Sequence, residues 1–439
     1  MDSTPDIPRS PEPESTEPES AEAAYEKFVW DNLPRNYAGN YIHGMLGMTG
    51  FRLLSAPTFI PVYLHDLSGS AAMVGLGTGL QQLGALISPI VSASQIEHRK
   101  KVMPAAMLIG TLMRVAVLGM AMVSWMMRGA PLLASMLVLL FLFGVFSGAQ
   151  RVAFQFLLAK VIPIARRGRL QAWRNLTGGA IAAVLTWAAG RYLIGRNLFG
   201  HGYSLTFLVT FALTSLGLTA LQMLLREPEP PTLRAKVRIV DRLKDFPALL
   251  SGDPGFLYFM IAQTLAVAGR IAAPFYVLYA QKSIELTGPT LGLLGLAYLG
   301  ADTASNLLWG YLGDRSGFRG ACLISLGLWI AATLLLLEAH NLPLIALALA
   351  GLGAAQSGYN MSSQTMVLEF GLREDIAMRL AFSSTAEGLT AALGPVIGGV
   401  IAAAFGYPLL MWISIGFVVA ALAVLVGLVE EPRLRRGAA

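Results

Sequence analysis

A dozen long apolar stretches follow one another along this chain, and that succession limits the fold more than any other feature. They fall at about 40–64, 71–95, 103–127, 132–157, 171–194 and 203–225, then at 256–280, 289–312, 320–338, 343–369, 380–404 and 408–428. A helix needs about 20 mostly apolar residues to cross the hydrocarbon core of a bilayer. A soluble core could imitate one such stretch but not twelve in order. The composition agrees: 55% of the 439 residues are hydrophobic and only 13% are charged, with a mean hydropathy of +0.60. Soluble domains carry about 25% charged residues. Glycine and proline recur inside the spans, which membrane helices tolerate. The expected fold is therefore an all-α polytopic membrane protein with twelve transmembrane helices.

Charge supplies the orientation. With a cytoplasmic N-terminus, the inner segments hold 24 of the 32 Lys and Arg residues, while the outer loops hold only Arg128, Arg191, Arg196 and Lys282. The remaining four, Arg52, Arg114, Arg151 and Arg270, fall within spans. This is the asymmetry of the positive-inside rule, and it predicts that both termini are cytoplasmic. The same distribution accounts for the net charge of +6 without nucleic acid.

Several function classes are excluded or left unsupported. The lone cysteine, Cys322, cannot form an intramolecular disulfide, and the five scattered histidines show no metal-ligand spacing. Walker and dinucleotide glycine patterns are missing, so no cofactor and no metal is expected. No paired nucleophile and base suggests an enzyme. Residues 1–36 divide into an acidic Pro/Glu/Ser tail, expected to be disordered, and a short interfacial segment with Phe28 and Trp30 at the headgroups. The tail has neither the basic start nor the apolar middle of a signal peptide.

The two halves repeat. Leu67-Ser68-Gly69-Ser70 leading to Val74-Gly75-Leu76 parallels Leu286-Thr287-Gly288-Pro289 leading to Leu294-Gly295-Leu296. Arg52 precedes Pro57 as Arg270 precedes Pro274, and Arg169-Leu170 recurs as Arg379-Leu380. Their common order predicts two pseudo-symmetric six-helix bundles, at 37–226 and 255–432, joined by a cytoplasmic linker at 227–254 and followed by a basic tail at 433–439. Such repeats belong to transporters that bind solute between halves and rock around it.

Between spans eight and nine the chain reads Gly310-Tyr311-Leu312-Gly313-Asp314-Arg315-Ser316-Gly317-Phe318-Arg319. This resembles the G-x-L-x-D-R-x-G-R signature of the major facilitator superfamily, at the place of its second copy. The first-half counterpart, Ala93 to Lys101, is degenerate: its glycine is lost and Glu97 replaces aspartate. The resemblance implies a gating loop whose acid meets a helix N-terminus of the other half, an anion against a positive helix end. Asp314 is thus expected near Arg167 or Arg169, and Glu97 near Arg379. It also implies that spans one, four, seven and ten line a central cavity. The chain departs from multidrug–proton antiporters, whose span-four arginine and span-five G-P-x-x-G-G motif are missing. A similar run, Gly394-Pro395-Val396-Ile397-Gly398-Gly399, lies in span eleven, where it is expected to permit close packing.

Charges inside spans are costly and are functional candidates by default. Arg52, Arg151 and Arg270 belong to the implied cavity helices, with Gln356 and Asn360 on a polar stripe of span ten and Tyr276 after the proline of span seven. Arg114 lies on a peripheral helix and is read as structural. Asp302 and Glu387 are candidates for coupling or ion pairing, and Arg270 and Asp302 reach similar depths. The expected function is transport of a small anionic or polar solute by alternating access, driven by protons or by the solute's own gradient, through a bacterial inner membrane, as a monomer. The alternative is a transport-inactive sensor or scaffold of the same fold.

Overall fold

The computed structural model describes residues 17–55, 57–96, 99–229, 253–370 and 376–430. Most of the acidic tail, Glu97, most of the linker and the basic C-terminal tail lie outside the described residues. All regular structure within them is helical. The helices are α1 (Glu17–Asp31), α2 (Leu33–Ser55), α3 (Phe59–Ser68), α4 (Ala71–Ile96), α5 (Met103–Met126), α6 (Gly129–Val161), α7 (Ile164–Ala188) and α8 (Gly202–Leu224). After the linker come α9 (Pro254–Ala268), α10 (Tyr276–Ala280), α11 (Gly288–Ser316), α12 (Phe318–Glu338), α13 (Leu342–Glu369), α14 (Ile376–Phe405) and α15 (Tyr407–Gly427). Helix starts at Glu17, inside the segment expected to lack structure, and the Tyr25 hydroxyl donates to the Lys160 carbonyl at 2.9 Å, which ties α1 to the end of α6.

Among the described residues, eight helical segments are long and apolar enough to cross a membrane. They are the expected spans three, four, six, seven and nine to twelve. The second span, in α4, meets α14 across the two halves, and the fifth, in α7, meets the eighth, in α11.

Two spans are broken in equivalent places. The first stops at Ser55 and restarts at Phe59, around Pro57. The seventh passes from α9 into a 3₁₀ segment, Gly269–Phe275, that contains Pro274, and then into α10. Proline lacks the N–H that would continue each helix. Arg52 stands just before the first break and Arg270 within the second, so the internal repeat extends to backbone irregularity.

Packing divides the helices into an N-terminal group, where α2 lies on α7 and α8 and α6 lies between α4 and α5, and a C-terminal group in which α13 packs on α11 and α12 and α9 on α15. The groups meet along two seams of small residues, α4 on α14 and α7 on α11. A Cβ at Gly75 would come 2.2 Å from the Pro395 carbonyl, and one at Gly190 would come 2.4 Å from Cα of Gly292. A Cβ at Gly399 would come 2.7 Å from the Ala71 carbonyl and 3.1 Å from Cα of both Ala72 and Gly75. The Gly394–Gly399 run therefore serves close packing, as its place in span eleven suggested. Both seams are tightest near residues 71–79, 186–195, 288–295 and 392–399, which all lie at one end of the bundle. At the opposite end α7 exposes Ile164, Arg166 and Arg169, and α11 exposes Tyr311, Asp314 and Arg315.

Candidate functional site

A cavity of about 130 Å³, open to solvent, lies between the halves beside the two broken helices. Leu54, Pro57, Ile60 and Pro61 come from the first span, Thr78, Gln81 and Gln82 from α4, and Val267, Arg270, Ile271, Ala273 and Pro274 from the seventh span. Tyr298 of α11, Gln356 of α13, and Thr390, Ala391, Gly394 and Pro395 of α14 complete the wall. One side is apolar and the other is built of amides, hydroxyls and a guanidinium. Ligand pockets commonly have this mixture.

The interior arginines differ in what they touch. Arg52 donates to Asp302 Oδ2 at 2.6 Å and to Thr303 Oγ1 at 2.9 Å. This ion pair joins α2 of one half to α11 of the other, and its side chains are only 19% and 16% exposed. Gly179 of α7 leaves the room it occupies, since a Cβ there would come 2.9 Å from Arg52 Nη1. Arg114 is buried and donates to the carbonyls of Thr214 and Gly110, a structural role as expected. Arg270 lines the cavity and forms no hydrogen bond or ion pair among the described residues. The expected meeting of Arg270 and Asp302 is thus replaced by Arg52 with Asp302. Helix register allowed either arginine, and the seam of α7 on α11 brings Arg52 closer.

The other candidates separate in the same way. Gln356 reaches the cavity and donates to Asn360 Oδ1 at 2.8 Å, so the span-ten stripe is a bonded pair with Asn360 exposed. Arg151 is exposed on α6, beside exposed Gln155 one turn on, and does not reach the cavity wall. Tyr276 is not a lining residue: it is 1% exposed and its hydroxyl accepts from Trp329 Nε1 at 2.9 Å. The 3₁₀ turn before it rotates the ring into the core of the C-terminal half. Glu387 is half-buried and accepts from Gln263 Nε2 at 2.8 Å and from Ser363 Oγ at 3.3 Å.

In the loop motif, Gly317 has φ of 82°, a conformation that glycine adopts freely, and its N–H donates to the Gly313 carbonyl. Phe318 packs over Gly313, where a Cβ would lie 2.3 Å from its ring, whereas Gly310 has open space. Arg319 caps the end of α15 through the Leu425 and Val426 carbonyls, and Arg315 donates to the Tyr311 hydroxyl. Asp314 is exposed and does not bond to Arg167 or Arg169 among the described residues. Arg167 instead donates to the Ile162 and Ala159 carbonyls. Arg379, expected near Glu97, pairs with Asp253 at 2.8 Å and lies over the Phe256 ring. Asp253 also caps α9 by accepting from the Phe256 N–H.

Sequence reasoning missed Gln263, the only amide in the seventh span, whose buried side chain bonds to Ser363, Glu387 and Ser383. Its isolation among apolar neighbours was the available signal. It also missed Lys160 and Glu227, a buried ion pair whose carboxylate accepts from the Val102 and Met103 N–H groups at 2.8 Å each and so caps α5.

A family model described as Major Facilitator Superfamily matches residues 44–269 and 255–439. Among curated proteins none matches the sequence. Among solved structures, a variant of the nucleoside transporter NupG superposes with a TM-score of 0.71 at 13% identity, covering 90% of this chain and 99% of that one. The D-xylose-proton symporter gives 0.66 at 13% identity, covering 92% and 98%. A bacterial homolog to the human lysosomal transporter Spinster, in an inward-facing and unoccupied conformation, gives 0.62 at 16% identity, covering 93% and 96%. At these identities the likeness is one of fold.

Proposed function

The chain belongs to the major facilitator superfamily, and we propose that it carries a small anionic or polar solute across a bilayer by alternating access at the cavity between its halves. The observation that carries this reading is Arg270. It is the one cationic side chain in the cavity wall, and among the described residues no carboxylate or carbonyl claims it. A guanidinium held partly out of water without a counter-charge favours an anion, because the interaction is stronger than it is in bulk water. Gln81, Gln82, Gln356, Thr78 and Thr390 add donors and acceptors for the rest of a polar ligand.

The topology proposed with it has twelve crossings in two six-helix halves and both termini on the cytoplasmic face of a bacterial inner membrane. The basic residues of the inner segments support it, 24 of 32 by position. In this arrangement the seams close the outer end and the cavity opens inwards. Access would alternate when the seams part and the inner ends of α7 and α11 meet. A proton gradient or the solute's own gradient drives the cycle.

The test is a thermal-shift screen of the purified protein against a metabolite library, since a ligand of the native state raises apparent stability. Anionic metabolites are expected to raise the melting temperature, and the same hits should fade in Arg270→Gln. Hits that persist unchanged in Arg270→Gln would remove the cavity assignment. Hits that bind but are not moved by the protein in liposomes would make it a sensor of the same fold.

A further inference from the structure

The N-terminal half holds a second cationic centre, away from the cavity. His43 of α2 is 5% exposed and Arg114 of α5 is 2% exposed, while Arg174 of α7 is half-buried. His43 lies within electrostatic reach of both arginines. Arg114 donates through Nε to the Thr214 carbonyl and through Nη1 back to the Gly110 carbonyl. Three residues along α8 from Thr214, a Cβ at Gly217 would come 3.4 Å from Cα of His43. His43 and the Arg114 guanidinium therefore flank the same stretch of α8. Arg174 enters from α7 over Gly44, where an added Cβ would collide with its guanidinium.

What these groups lack is an acceptor. Arg114 Nη2, Arg174 Nε and both ring nitrogens of His43 are buried without a partner among the described residues. No acid pairs with any of the three there. A neutral imidazole carries one N–H, and a guanidinium stays charged in a protein. Two largely buried cations without a counter-charge are costly, and so is each donor left unpaired. The Phe154 ring stacks on His43 at 4.4 Å and closes one face of the imidazole. Gly44, Gly110 and Gly217 let the polar heads approach between closely packed backbones. Such a space suits a compact, single-atom anion better than a phosphate.

We propose that His43, Arg114 and Arg174 form a halide site inside the N-terminal half, filled by chloride as the counter-ion of the two guanidinium groups. None of the three belongs to the wall of the solute cavity. The proposal therefore stands apart from the cavity reading above. An anion shared by α2, α5 and α7 holds these helices together, so its loss loosens this half and leaves Arg270 untouched.

The experiment is thermal unfolding of the purified full-length protein as sodium chloride replaces sodium gluconate at constant ionic strength, which keeps screening equal. Chloride should raise the melting temperature and continue to do so with the logarithm of its concentration beyond saturation. Bromide should act likewise. His43→Gln and Arg174→Gln each remove a donor to the anion, so their responses should need at least about tenfold more chloride. Arg174→Lys, which keeps the charge, should retain part of the effect, a rescue that a packing role would not give. Arg270→Gln should respond as the native protein does. Chlorine-35 NMR of the native protein needs no variant: excess line width that bromide removes is expected. Equal melting curves in chloride and gluconate, or no excess line width, would overturn the proposal. So would a response kept in full by both glutamine variants, whereas a response lost in Arg270→Gln would move the anion to the solute cavity and leave this site without one.

Discussion

Arg52, Arg114 and Arg270 each lie within an apolar span, and only their neighbours decide what each can do. Arg114 spends its donors on two carbonyls, Arg52 on a carboxylate and a threonine, and Arg270 on nothing among the described residues. Removing one member of a largely buried pair leaves an uncompensated charge, which costs about 3–5 kcal/mol, whereas removing both costs far less. Asp302→Asn should therefore destabilise the protein, at the low end of that range because the pair is 16–19% exposed. The double variant Arg52→Gln/Asp302→Asn should recover most of the loss in thermal or denaturant unfolding. Equal destabilisation by the single and double variants would show that the pair contributes only packing. Sequence made all three arginines visible as intramembrane charges but could not assign their partners. Periodicity gives depth along a helix, whereas pairing depends on how two helices are rotated about their own axes. Tyr276 failed for the same reason, since the 3₁₀ turn at Gly269–Phe275 changes the direction of every side chain after it.

Helices that must part and rejoin need surfaces that hold without interlocking, and the two seams have that character. Gly75, Gly399, Gly190 and Gly292 bring backbones together, and no long side chain has to withdraw when they separate. Small residues serve this purpose in membranes because close backbone approach supplies van der Waals contact. The seams join one half to the other, so enlarging a residue there should leave the core of each half intact. Gly399→Val would press on Ala72 and Gly75, and overpacking of this sort costs about 1–3 kcal/mol. The cost falls on this closed-seam state alone, so the population should move some five- to a hundred-fold towards the state with parted seams. A cysteine at Ala72 in a Cys322→Ser background, labelled by a membrane-impermeant thiol reagent, reports the change. Faster labelling is the expected outcome, and an unchanged rate would mean that the seam does not open. The seam residues were legible as a repeat, through Gly75 and Gly295 in matched positions, but their function was not. A glycine in an apolar span is commonplace until the facing backbone is known.

At the scale of the whole molecule, the loop motif and the seams lie at opposite ends, and this accounts for the solitude of Asp314. Where the seams are shut, the ends of α7 and α11 that bear Arg166, Arg169, Asp314 and Arg315 are exposed. An acid proposed to lock the other access state has nothing to bind in this one. Asp314 should then act only when that end closes, against the N-terminal turn of α7, where an anion gains about 0.3–1 kcal/mol from the helix end. Asp314→Asn is accordingly expected to leave the melting temperature unchanged. It should lower the yield of a crosslink between cysteines at Gly168 and Gly310, two positions with open space around an added Cβ, in a Cys322→Ser background. A gain of that size changes the closed population by about two- to five-fold, which crosslinking yield resolves. An identical yield in the two proteins would reduce the motif to a turn, held by Gly317 and the Arg319 cap, with no part in gating.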